Sequence, residues 1–154
     1  PVRVGGTIDT DPVTVPGITT GAAYADLDQI GSLFEIPNVT RPGVFTGTLN
    51  SARYYDLDDE GLQVNLWLFN APVTLAADNA AFVLSDADLL KVVHVIPFVT
   101  FYDANTGQFS PVGGIGVAFR TTVRTSLFAA IQARGALNIA AANLPRFSLG
   151  VLSD

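Results

Sequence analysis

Turn-forming residues punctuate this chain about every ten positions: Gly31, Pro37, Pro42 with Gly43, Gly61, Pro72, Asn105 to Gly107, Gly113 with Gly114, Gly135 and Pro145. That spacing leaves room for short strands and little room for long helices. Between the turns the hydrophobic pattern has a period of two. Leu62, Val64, Leu66 and Leu68 alternate with Gln63 and Asn65, as expected of a strand with one buried face. Ile115, Val117 and Phe119 alternate with Gly116, Ala118 and Arg120, and Phe147, Leu149 and Val151 alternate with Arg146 and Ser148. In the run from Val92 to Val99 both sides are mostly apolar, which predicts a strand buried on both faces. Pro97 must then occupy a bulge or an unpaired edge, because it cannot donate to a ladder. The expected fold is all-β: an antiparallel β-sandwich or jelly roll.

One short helix is expected near residues 85–91. Ser85 is a good N-cap, and Asp86 and Asp88 place carboxylates where the helix dipole favours them. The segment from Ser126 to Arg134 fits a helix closed by Gly135, because Leu127, Ala130, Ile131 and Arg134 would share a face. It also fits a strand in which Leu127, Ala129, Ile131 and Ala133 share a face, and the β-type neighbours favour the strand. Residues 1–20 carry Pro12 and Pro16 among Thr, Val and Gly, so they are expected to form an extended N-terminal arm before a single domain at 21–154. Such an arm either reaches a neighbouring chain or lies down as an edge strand. In the first case Val2, Arg3 and Val4 are the partner-binding residues, the valines supplying alternate side chains to a sheet edge and Arg3 meeting an acidic patch.

The charge balance excludes several functions. In 154 residues there are 8 Lys+Arg against 14 Asp+Glu, a formal net charge of −6, so no basic field exists to neutralise phosphates. Neither nucleic acid nor an anionic membrane surface is an expected partner. The longest uncharged stretch, Gly61 to Ala77, is interrupted by Gln63, Asn65, Asn70 and Pro72, and falls short of the roughly 20 apolar residues of a membrane span. Charged residues make up only 14% of the chain, against roughly 25% in an average globular protein. With 49% hydrophobic residues, part of the surface is expected to be covered by other protein chains. There is no cysteine, which removes disulfides, thiolate chemistry and Cys-based zinc sites. The start shows no charged leader followed by an apolar block, and Pro1 suits removal of an initiator methionine after synthesis in the cytoplasm.

Residues with chemical potential are isolated. His94 is the only histidine, no Gly-x-Ser-x-Gly elbow is present, and no second histidine can share a metal with it. No catalytic, cofactor-binding or metal-binding residue is therefore assigned, and no cofactor is expected. Asp56, Asp58, Glu60 and Gly61 resemble the opening of a calcium loop, but its twelfth position is Trp67 rather than glutamate, so an acidic turn is the simpler reading. Asp103, Asn105 and Gly107 suit a hairpin turn. Gly113, Gly114 and Gly116 lack the lysine and helix of a phosphate loop. Asn38-Val39-Thr40 is a glycosylation triplet. Trp67, Phe69, Tyr54 and Tyr55 offer aromatic rings for stacking on sugars, although adjacent Tyr54 and Tyr55 must point to opposite faces of a strand.

Several stretches taken together resemble a family of small virion proteins encoded beside the major capsid protein of tailed bacteriophages and prophages. They are Tyr24 to Gly31 with Phe34 and Asn38, Leu66 to Phe69, Asp78 to Phe82 leading into Ser85 to Leu89, Ser126 to Phe128 with Ala133 to Gly135, and Leu149 to Asp154. The likeness runs from about residue 21 to the end. It implies a non-enzymatic capsid decoration (cement) protein on the virion surface. Its partners would be the major capsid protein and further copies of itself, as a dimer or trimer. A tail or baseplate module, or a carbohydrate-binding sandwich, is the alternative.

Overall fold

Alternation writes two faces onto each strand, and in the computed structural model, which describes residues 5–140 and 143–153, the apolar faces close on one another. The strands are β1 (Gly6–Asp9), β2 (Val13–Thr14), β3 (Ala23–Tyr24), β4 (Gln29–Ile36), β5 (Thr46–Asp56) and β6 (Val64–Phe69). After the helix α1 (Asp86–Leu89) come β7 (Val92–Phe98), β8 (Tyr102–Asp103), β9 (Gln108–Arg120), β10 (Leu127–Ala133), β11 (Leu137–Asn138) and β12 (Arg146–Ser153). One sheet runs β1-β12-β5-β9-β8, with β2 also on β12; the other runs β4-β10-β6-β7. All of these pairings are antiparallel. Strand order of this kind, with successive strands passing repeatedly between the sheets, is the wiring of a jelly roll.

The core between the sheets is built from the inward residues of both. Tyr54 stacks on Phe147 at 4.7 Å between ring centroids, and Phe98 and Phe34 approach Phe147 at 5.7 and 6.3 Å. Leu49, Leu66, Leu68, Leu127 and Leu149 fill the rest, all without solvent exposure. Burying each such side chain contributes roughly 1.5–3 kcal/mol.

Segment 126–134, which local spacing leaves open between helix and strand, is the strand β10, lying between β4 and β6. It is buried on both faces. Leu127, Ala129, Ile131 and Ala133 join the main core, while Phe128 and Ala130 belong to a second cluster with Phe69 and Val73. The connection from β6 to β7 covers that second face, laying Leu75, Phe82 and Leu84 over Trp67 and Leu33. The helix fastens this cover. The Ser85 hydroxyl accepts from the Asp88 N–H (3.1 Å), and the Asp88 carboxylate accepts from the Thr74 N–H (3.1 Å) and from Lys91 Nζ (2.7 Å). Lys91 also donates to the Pro72 carbonyl (2.9 Å).

One expectation needs correction. β7 is an edge strand, and Val92 to Val95 are only half-buried rather than enclosed on both sides. Its apolar outer residues pack beneath the cover segment at one end only, through Val92. Pro97 lies exposed on this edge, where a missing donor costs nothing. Between the two forms open to the N-terminal segment, residues 6–14 take that of the edge strand: β1 and β2 both pair with β12, and Val15 is fully buried. Val2, Arg3 and Val4 lie outside the described residues.

Candidate functional site

Three stretches far apart in the chain, Tyr24 to Gly31, Asp78 to Phe82 and Ala133 to Gly135, meet at one junction beside β4. Asp78 is its hub. One carboxylate oxygen accepts from the Tyr24 hydroxyl (2.8 Å) and the Gly31 N–H (2.6 Å), and the other accepts from the Thr19 N–H (2.8 Å). Backbone bonds continue the joint: Gln29 N–H to Ala80 O (2.7 Å), Asn79 N–H to Gln29 O (2.8 Å) and Phe82 N–H to Leu27 O (3.0 Å). On the other side the Leu27 N–H donates to Ala133 O (2.9 Å), and Asp26 accepts from the Gly135 N–H (2.9 Å). Asp28 closes its own turn by accepting from the Ala25 N–H (2.8 Å). The acidic residues of these stretches thus act as acceptors that tie the cover segment, β4 and the end of β10 together.

Burial would raise the Asp78 carboxyl, but the bonds from Gly31, Thr19 and Tyr24 together hold it below the usual carboxylate range. Burial, then the neighbouring Asp78 carboxylate, pushes the Tyr24 hydroxyl well up. A depressed carboxyl stabilises the fold fully above the unfolded value of about 3.9 and loses that contribution as the pH falls through its folded value. Asp78→Asn is therefore expected to be about 1–3 kcal/mol less stable than the parent at pH 7, since donors lose a charged acceptor. It should also lose less on further acidification. Urea denaturation at neutral and acid pH tests this, and parallel acid limbs for parent and variant would exclude Asp78 as an acid-sensitive group.

The acidic turn uses its oxygens in the same way. Asp56 accepts from the N–H groups of Asp58 (3.1 Å), Gly61 (3.0 Å) and Leu62 (3.4 Å). Asp58 accepts from the Ala140 N–H (2.9 Å) and from Asn143 Nδ2 (3.2 Å), tying the turn to the loop before β12. Burial raises the Asp56 carboxyl despite those bonds, so its protonation favours the folded state and acts in the opposite sense to the acid loss at Asp78. These oxygens are taken up by backbone N–H groups and the Asn143 side-chain amide, an arrangement that satisfies a turn. Among the described residues, no three His, Asp or Glu side chains gather as a metal set.

The other sequence candidates are dispersed. His94 is half-buried in β7, opposite Leu68. Tyr54 and Phe69 are core residues. Trp67 stacks on Phe82 at 5.1 Å and donates its indole N–H to Gln132 (3.1 Å), so its ring belongs to the cover. Asn38 is exposed in a turn after β4. Tyr55 alone of the proposed aromatic group faces out.

Tyr55 lies on the outer face of the larger sheet, which no hydrophobic cluster covers among the described residues. Cross-strand partners point to one side, so the register gives this face row by row. At the end where β1 begins, Thr7, Leu152, Thr48 and Ala118 form one row, with Arg120 beyond it opposite Thr46. The next row is Asp9, Gly150, Ser51 and Gly113, and Asp9 is paired with Arg53 at 3.4 Å. Here β9 bulges: Gly114, Ile115 and Gly116 lie opposite Asn50 alone, two residues more than regular pairing, with both glycines at positive φ. At the opposite end the row reads Thr14, Arg146, Tyr55, Phe109, Tyr102. Sequence reasoning found Tyr55 and missed Phe109 and Tyr102, since only register aligns them. No protein-family model and no curated protein matches the chain. No helix among the described residues is long and apolar enough to cross a membrane.

Proposed function

We propose that this chain is a structural virion protein, a decoration (cement) protein that binds the outer surface of a tailed-phage head. In this reading it bridges neighbouring major capsid subunits and self-associates as a dimer or trimer. The observation that carries the proposal is the uncovered, charge-poor face of the larger sheet at the end where β1 begins. There Leu152 is 46% exposed beside threonine, glycine and alanine, and the acidic residue in the adjoining row is paired with Arg53. A flat surface of that kind suits repeated, individually weak contacts, which stabilise a shell by mass action over many copies. The resemblance of residues 21–154 supplies the virion setting. Val2, Arg3 and Val4 directly precede Gly5 in the chain and are assigned to the capsid contact.

Capsids assembled without the protein are expected to lose resistance to heat and osmotic shock and to regain it when the purified chain is added back. Deleting residues 1–4 and, separately, changing Leu152→Glu should each lower occupancy on capsids while leaving the fold intact. Capsids that keep their full resistance without the protein would end the cement reading, and unchanged occupancy after either alteration would remove that contact from it.

A further inference from the structure

The far end of the same sheet carries a different surface. Tyr102, Phe109 and Tyr55 stand side by side on three adjacent strands, followed by Arg146 and Thr14 on the next two. Adjacent strands are about 4.8 Å apart, so the aromatic part spans roughly 10 Å, the length of a disaccharide, and Arg146 lies one strand beyond. The Tyr55 and Phe109 rings are 5.5 Å apart and tilted by 43°, and Tyr102 is 63% exposed. Arg146 is exposed, and no ion pair holds it among the described residues. The Tyr55 hydroxyl shares a hydrogen bond with Ser148 (3.3 Å), which fixes that ring at the centre of the row.

We propose that this row binds an acidic oligosaccharide, with pyranose rings resting on Tyr102, Phe109 and Tyr55 and a sugar carboxylate paired with Arg146. A pyranose ring has an apolar C–H face and a rim of hydroxyls, which matches aromatic faces flanked by Thr14, Arg146 and the tyrosine hydroxyls. One isolated guanidinium in line with the rings reads a single carboxylate with bidentate geometry. A nucleic acid would need many cations where the row has one. The protein's overall charge of −6 does not oppose this contact strongly, because charges beyond a Debye length of about 8 Å are screened at physiological salt.

This site is independent of the capsid contact. Arg146 and Leu152 are six residues apart on β12, roughly 20 Å, so one end of the sheet can sit on a shell while the other stays open to solvent. The bland alternative, that the aromatics only stabilise the sheet, accounts for Tyr55 and Phe109 but leaves Tyr102 on a two-residue strand with most of its ring in water.

The test is titration of the full chain with tri-galacturonate and with neutral cellotriose, followed by NMR. Tri-galacturonate at millimolar concentration is expected to shift the signals of Tyr102, Phe109, Tyr55 and Arg146. Tyr102→Ala should weaken that binding by about tenfold, in line with the loss of one aromatic contact. Arg146→Ala should lower tri-galacturonate affinity to that for cellotriose. Leu152→Glu should leave sugar binding unchanged while lowering capsid occupancy, which separates failure of this proposal from failure of the capsid reading. Tyr102 and Arg146 are exposed, so both variants should fold as the parent does. No shifts with either sugar, or shifts centred elsewhere, would overturn the site; equal affinity for both sugars in the parent would overturn the acidic assignment.

Discussion

Replacing Gly31 with alanine is expected to cost the fold about 3–5 kcal/mol, near the upper end of what single substitutions do. Gly31 is buried at the start of β4 with φ +67°. A side chain in that conformation costs about 1–2 kcal/mol by itself. A Cβ there would also overlap the Pro16 carbonyl oxygen and come within 2.9 Å of Val15 Cγ1. Neither can yield easily, since Val15 is fully buried and the Pro16 carbonyl already accepts the Ser32 N–H at 2.9 Å. The Gly31 N–H is also one of the donors that hold Asp78, so displacement there would loosen the cover segment. Gly43→Ala is the matched control, having φ +78° but open space around it, and should show the conformational cost alone. Urea denaturation of both variants separates the two contributions. Equal losses at the two positions would mean that contact with the N-terminal segment does not constrain Gly31.

Phe147→Ala should destabilise the protein by a comparable amount, about 3–5 kcal/mol. Its ring is the common neighbour of Tyr54, Phe98 and Phe34, which come from both sheets, so removing it opens a cavity where the sheets join. Tyr54 is stacked on it at 10° between planes, and a double-mutant cycle between the two should show a coupling of about 0.5–1.5 kcal/mol. Phe45→Ala, at a half-exposed ring, should change stability by no more than about 0.5 kcal/mol. Calorimetry or denaturant unfolding checks the series, and similar losses for Phe147 and Phe45 would show that the aromatic cluster does not join the sheets energetically.

The strands were legible where one face is apolar and the other polar, as at Val64 to Leu68, although Leu62 precedes the strand, and at Phe147 to Val151. Such alternation has one stable placement, with the apolar side inward. Segment 126–134 was harder because it is apolar all round. Both a helix and a doubly buried strand satisfy that pattern, and a covering segment some fifty residues earlier in the chain decides between them. The run at Val92 to Val99 shows the converse: apolar residues on both sides suggested burial, yet the strand lies at a sheet edge.

The candidate sites divide in the same way. Individual acidic residues and aromatics could be picked out, and Ser85 correctly marks the start of α1, because an N-cap acts on N–H groups within its own first turn. The role of Asp78 was not legible, since Thr19, Tyr24 and Gly31 lie 59, 54 and 47 residues away from it. The alignment of Tyr102, Phe109, Tyr55 and Arg146 was hidden as well, because each residue comes from a different strand.

The sequence by itself determined the all-β character, the positions of most strands and the shortage of charge, all of which follow from residue type and from neighbours one or two positions away. The tertiary structure decided which apolar faces are covered, which stay open, and which side chains stand together. Those outcomes depend on the register between strands distant in the chain, which is fixed only when both sheets close on a common core.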